Sequence, residues 1–172
     1  QRGYIIAAPL GYRVDGGYGF GVAAPPVDPV ARARGDASEQ DVMQVLAEVR
    51  RHYTIDENRI YLMGHSMGAI GTWKIAARYP DIWAALGLFS GQGVPSTVDR
   101  FRRLPEFVVH GDADPTVNVA GSRAMVEAMK ALAVDVTYVE VPGGDHLNVV
   151  EPNFAAMFDF FATRKKDARP AP

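Results

Sequence analysis

Apolar positions along the 172-residue chain fall into two alternating rhythms. Short dense runs at Tyr4-Ile5-Ile6-Ala7-Ala8, Arg59–Met63, Trp83 to Phe89, Phe107-Val108-Val109 and Val134 to Val141 have the length and make-up of buried strands. Between them, apolar residues recur at helical spacing: Val42, Val45, Leu46 and Val49, then Ile70, Trp73 and Ala77, then residues 121 to 132 and Asn153 to Thr163. Ser38 reads as the cap of the first helix, with Asp41 three residues on as a short capping box, and Pro80 stops the second helix. Gly11 to Gly35 is rich in Gly and Pro, with Tyr12, Tyr18 and Phe20 interspersed. An irregular stretch this long inside a compact domain predicts a functional loop, here a pocket wall. Residues 91 to 105 read as loop. Strands alternating with helices predict an α/β fold: a mostly parallel sheet covered on both faces, with ligands beyond the carboxyl ends of its strands.

Length adds the expectation of a single domain, residues 1–163, followed by a charged, Pro-rich tail, 164–172. A hydrophobic content of 48% and a charged content of 22% are those of a soluble globular protein. The net charge of −2 and the lack of a basic face argue against a nucleic-acid partner. No apolar run approaches the ~20 residues that span a bilayer. The absence of cysteine excludes disulfides, thiol catalysis and cysteine-ligated metal, and leaves the compartment open, secreted and periplasmic locations included. The chain opens on Gln1, with no initiator Met and no charged-then-apolar leader, and reads as a processed or excised piece.

The chemistry concentrates at Gly64-His65-Ser66-Met67-Gly68, a Gly-x-Ser-x-Gly placed between the run ending at Met63 and the helical pattern starting at Met67. A serine at such a turn sits on strained backbone with its hydroxyl raised out of the sheet, and the two glycines remove side chains that would collide with strand and helix. Ser66 is therefore the candidate nucleophile, and it needs a base held in one tautomer by a buried acceptor. Of the four histidines, His52 lies near a helix end, facing solvent. His65 is the variable residue of the turn, pointing away from the nucleophile, and His110 ends a strand as a packed residue bonded to backbone. His146, in a glycine-rich loop between the last strand and last helix, is the candidate base. Asp112, Asp114 and Asp145 compete as the acid. Asp145 adjoins His146 in sequence and Asp112 reads as a turn cap, so Asp114, braced by Pro115, is favoured. Ser66, the Asp112–Asp114 turn and His146 each follow a strand, so the fold delivers them to one rim. Ser90, Gly91 and Gln92, with Tyr12 and the aromatics up to Phe20, are candidate substrate contacts.

The stretch Asp41 to Gly91 resembles the α/β-hydrolase superfamily through Tyr53-Thr54-Ile55-Asp56, Asn58-Arg59-Ile60-Tyr61, the Ser66 pentapeptide and Arg78-Tyr79-Pro80-Asp81. Within it the chain is similar to feruloyl esterase and polyhydroxybutyrate depolymerase-like esterases, with prolyl-oligopeptidase-type catalytic domains nearby. His110-Gly111-x-x-Asp114 and Gly144-Asp145-His146 match the acid and base motifs, so the likeness runs from Tyr4 to Thr163. It implies a three-layer sandwich, Ser66 as nucleophile, Asp114 as orienting acid, His146 as base and the Met67 amide as an oxyanion donor. The expected activity is cleavage of a small-molecule carboxylic ester through an acyl-enzyme, with no metal and no organic cofactor.

The likeness also breaks. Family members carry about three strands upstream of Tyr4–Ala8 and a His-Gly-Gly type motif that supplies the second oxyanion donor; neither is found in this sequence. Three arrangements would fill the gap beside the elbow strand: a further N-terminal segment or second chain, direct pairing of Tyr4–Ala8 onto Arg59–Met63, or a partner subunit. One missing donor costs about 2.7–4 kcal/mol of transition-state stabilisation, so such a chain would hold its triad yet hydrolyse slowly. The competing readings are a peptidase or amidase on the same triad, and a non-catalytic binding module on a hydrolase fold.

Overall fold

The computed structural model describes residues 3–11, 17–18 and 29–166. Tyr12 and Phe20, expected in a pocket wall, lie outside them. Among the described residues four strands form one parallel sheet in the order β1-β2-β3-β4: β1 (Tyr61–His65), β2 (Ala85–Phe89), β3 (Glu106–Gly111) and β4 (Val136–Val141). Helices α1 (Pro29–His52), α2 (Met67–Arg78), α3 (Ala120–Ala131) and α4 (Val150–Ala162) surround it, and a 3-10 helix, Pro95–Phe101, interrupts the stretch expected to be loop.

Alternation along the strands sorts the core into two layers. Leu86, Leu88 and Val108 point to one face and pack with Val42 of α1, Trp73 of α2 and Met125 of α3. Ala85, Phe89, Phe107 and Val109 point to the other and meet Met157 and Phe161 of α4. Gly87 lets α4 approach the sheet: a Cβ there would lie 2.5 Å from the Met157 sulfur and 2.9 Å from the Phe161 ring. The alternation of strand and helix thus builds a three-layer α/β sandwich with helices on both faces.

Two elements depart from the sequence reading. Helix α1 begins at Pro29, nine residues before Ser38, and so absorbs Gly35 and Ser38 as buried interior positions. Pro at the first helical position is pre-set for that start. The middle of the helix is pinned by Glu39, which is buried and accepts Arg78 Nη1 at 2.9 Å and Tyr79 Oη at 2.8 Å. Asp41 makes no capping box; its Oδ2 accepts the Gly11 N–H at 2.9 Å.

Nor does Tyr4–Ala8 form a buried strand or pair onto β1. Its tyrosine alone turns inward, 5.2 Å from the Phe158 ring and 6.0 Å from that of Tyr61, while Ile5 and Ile6 stay 50% and 72% exposed. An apolar run becomes a strand only where a partner takes its backbone hydrogen bonds, and this one gains more from docking a ring on α4. Among the described residues β1 is accordingly an edge of the sheet, and a cavity of about 500 Å³ opens beside it. Tyr4–Ala7, Val42, Leu46, Met63, Trp83 and Phe161 are among its walls.

Candidate active site

The turn between β1 and α2 is built on strain. Ser66 has φ 55° and ψ −117°, a conformation that costs a non-glycine residue of order 1–3 kcal/mol and persists only where its surroundings enforce it. The Ser66 N–H donates to Phe89 O at 2.9 Å, tying the turn to the end of β2, and its carbonyl accepts from Ile70 N. Gly64 is indispensable, since a Cβ there would stand 2.2 Å from the Gly68 carbonyl carbon. Gly68 is not: a Cβ would meet open space, which corrects the expectation that both glycines relieve a collision. Met67 is the first residue of α2, so its N–H belongs to the unpaired donors at the positive end of a helix.

Asp114 and His146 meet across the sheet's carboxyl rim. Asp114 follows β3 and His146 lies in the loop after β4; His146 Nδ1–H donates to Asp114 Oδ2 at 2.7 Å. The Asp114 side chain is fully buried, yet its other oxygen accepts Thr116 N at 2.7 Å and Val117 N at 2.9 Å. Burial pushes the carboxyl up, but the Val117 amide, His146 and the Thr116 amide outweigh it and hold Asp114 at about 2, so it is anionic. The two rival carboxylates are engaged elsewhere. Asp112 Oδ1 accepts Gly143 N at 2.7 Å, and the exposed Asp145 caps Leu147 N and Asn148 N.

The loop carrying His146 is anchored by its backbone. The His146 carbonyl accepts His65 Nε2–H at 2.7 Å and Ser90 Oγ–H at 3.3 Å, and the His65 and His146 rings lie 4.7 Å apart. His65, assigned no role in the sequence, thus clasps the base's loop from the residue preceding Ser66. Its contact spans 81 residues, and no local pattern announces it. Ser90, at φ 50°, and Gly91 are buried and support the site from beneath, while Gln92 is exposed. Tyr18 packs against α2, where a Cβ on Gly71 would sit 2.6 Å from its own, and is not among the residues lining the 500 Å³ cavity. His52 is exposed, near Glu48. None of Ser66, Asp114 and His146 lines the 500 Å³ cavity, so the site is located by its hydrogen bonds and not by concavity.

Among the described residues no cluster of three or more His, Asp or Glu side chains could hold a metal, and no helix is long and apolar enough to cross a membrane.

The phospholipase/carboxylesterase family of α/β hydrolases matches residues 31–164. This chain belongs to that family. Among hydrolases of known name, it is 28% identical over 128 residues to Cutinase 2 of Thermobifida cellulosilytica, covering 73% of this chain and 47% of the relative. It is 33% identical over 85 residues to the bifunctional acetylxylan esterase/xylanase XynS20E of Neocallimastix patriciarum, covering 49% of this chain and 13% of the relative. A thermostable esterase of known crystal structure superposes with a TM-score of 0.70 at 29% identity, over 74% of this chain and 37% of the other. The chain therefore spans less than half the length of these relatives.

Proposed function

We propose that this chain is the catalytic core of a serine hydrolase that cleaves carboxylic esters, with Ser66, His146 and Asp114 as its triad. The observation that carries the reading is the 2.7 Å bond from His146 Nδ1–H to the buried, anionic Asp114. A ring that spends its Nδ1 proton on a carboxylate leaves the Nε2 lone pair free in its neutral form, which is the tautomer a general base needs.

In this reading Nε2 takes the Ser66 proton as Oγ attacks the ester carbonyl. The Met67 N–H, at the start of α2, donates to the oxyanion of the tetrahedral intermediate. Collapse breaks the carbonyl–alkoxy bond, and the alcohol leaves with the proton from His146. Water, deprotonated by the same ring, then releases the acid and restores Ser66. Ester cleavage is preferred to amide cleavage because two named relatives, the cutinase and the acetylxylan esterase, are esterases.

The test is turnover of short p-nitrophenyl esters beside matched p-nitroanilides. The wild type is expected to cleave the esters, and Ser66→Ala to lose roughly 10³-fold or more of that rate with its fold intact. Equal turnover of the anilides would replace the esterase with an amidase; undiminished turnover by Ser66→Ala would remove the serine from the mechanism.

A further inference from the structure

His110 is a fully buried polar group, and the proposed mechanism does not use it. Its Nδ1 lies 2.7 Å from Ser122 Oγ, and its Nε2 lies 2.9 Å from Val117 O and 3.2 Å from Asp114 Oδ2. Which nitrogens carry protons follows from counting donors. Ser122 has one hydroxyl proton and two claimants, because Oγ also lies 2.8 Å from Gly91 O. A carbonyl can only accept, so that proton points at Gly91, and Oγ turns a lone pair toward Nδ1. Nδ1 must then bear a hydrogen. Nε2 faces a carbonyl and a carboxylate, both acceptors, so it bears one too.

We propose that His110 is an imidazolium that donates from both ring nitrogens and acts, within the triad reading above, as the positioning residue of Asp114. A buried cation is tolerated only beside a counter-charge, and the fully buried Asp114 carboxylate supplies it. The arrangement holds Asp114 from both oxygens. Oδ1 accepts from Thr116 and Val117 and Oδ2 accepts from His146, while His110 Nε2, bonded to Val117 O, stands 3.2 Å from Oδ2 as the ion-pair partner on that side. Val117 closes the ring of contacts, giving its N–H to Asp114 and its carbonyl to His110. Ser122 ties the same ring to Gly91, just past β2. The other charge facing this position is Glu140, the register partner of His110 on β4, and its carboxylate is already bound to Arg123 and Tyr138.

Ring nitrogen NMR on the full chain at pH 7 tests the charge state. His110 is expected to give two slowly exchanging N–H signals, and Ser122→Ala to lose one of them as Nδ1 loses its acceptor. A single N–H in the wild type, with the second nitrogen resonating as a bare acceptor, overturns the proposal, and that count needs no variant. The positioning role is read from the rate at which a fluorophosphonate modifies Ser66. His110→Gln keeps a donor at the Nε2 position and should stay within about threefold of wild type, whereas His110→Asn, too short to reach Asp114, should fall tenfold or more. Equal rates for both variants overturn it. The two readings fail separately: an unmodified wild-type Ser66 beside a doubly protonated His110 removes the hydrolase and leaves the cation in place.

Discussion

Ser66, Gly64 and Asp114 each hold a conformation or charge that their neighbours enforce, and each predicts a measurable response. Adding a Cβ at Gly64 forces strand and helix apart, so Gly64→Ala should lower stability by about 1–3 kcal/mol, whereas Gly68→Ala, facing open space in a helix, should be neutral or slightly stabilising. Thermal melts of the pair decide this; equal losses would mean the elbow is not the close approach described. Asp114 titrates at about 2 in the fold against an ordinary 3.8, so its contribution is complete above pH 4 and is lost as pH falls toward 2. That difference corresponds to about 2 kcal/mol, and Asp114→Asn should flatten this part of the acid-unfolding curve. The same substitution leaves His146 without its acceptor and should slow ester turnover about 10³–10⁴-fold. At this scale the sequence was legible where chemistry is written locally, as in the Ser66 pentapeptide. It was silent on His65, because that contact depends on loops brought together by topology, and on the contact of Asp114 with His110, four residues apart, because the turn after β3 is irregular and no periodicity shows which side chains it brings together.

Among the elements, β3 is the most unusual, since it carries a fully buried carboxyl at one end and His110 at the other. Burial pushes Glu106 up to about 8, opposed only in part by the Trp73 Nε1–H bond at 2.8 Å to Oε2, and Oε1 has no partner among the described residues. A carboxyl raised in the fold costs stability progressively between its unfolded value of 4.5 and about 8, as the unfolded chain ionises first. Glu106→Gln, which keeps an acceptor for Trp73, should therefore be more stable than wild type at pH 8 and should lose that advantage below pH 5. Denaturant midpoints at the two pH values test it; the same difference at both would deny the buried proton. Strands β2, β3 and β4 were readable as apolar runs because each has two neighbours or a covered face. The first helix was misplaced because Glu39 and its bonds to Arg78 and Tyr79 hold it, a tertiary contact that outweighs the Ser38 capping signal. Tyr4–Ala8 misled for the reverse reason: apolar density says nothing about who accepts the backbone bonds.

At the scale of the whole molecule, the sandwich positions its loops at the carboxyl rim, and among the described residues β1 pairs with β2 alone and lies beside a 500 Å³ cavity; Ile6, in the cavity wall, and Leu10 are 72% and 93% exposed. An uncovered edge next to apolar surface is a template for association. Sedimentation should show concentration-dependent self-association, and the double substitution Ile6→Lys with Leu10→Lys should weaken it without lowering the melting temperature. A wild type that stays monomeric throughout would contradict this. The proposed activation of Ser66 by His146, itself held by Asp114, makes a narrower demand. It is tested most directly by treating the chain with a fluorophosphonate and locating the adduct by peptide mass spectrometry. One adduct is expected, on Ser66, lost in Ser66→Ala and strongly diminished in His146→Ala. A folded chain that takes up no label on Ser66, or labels it equally without His146, would contradict it.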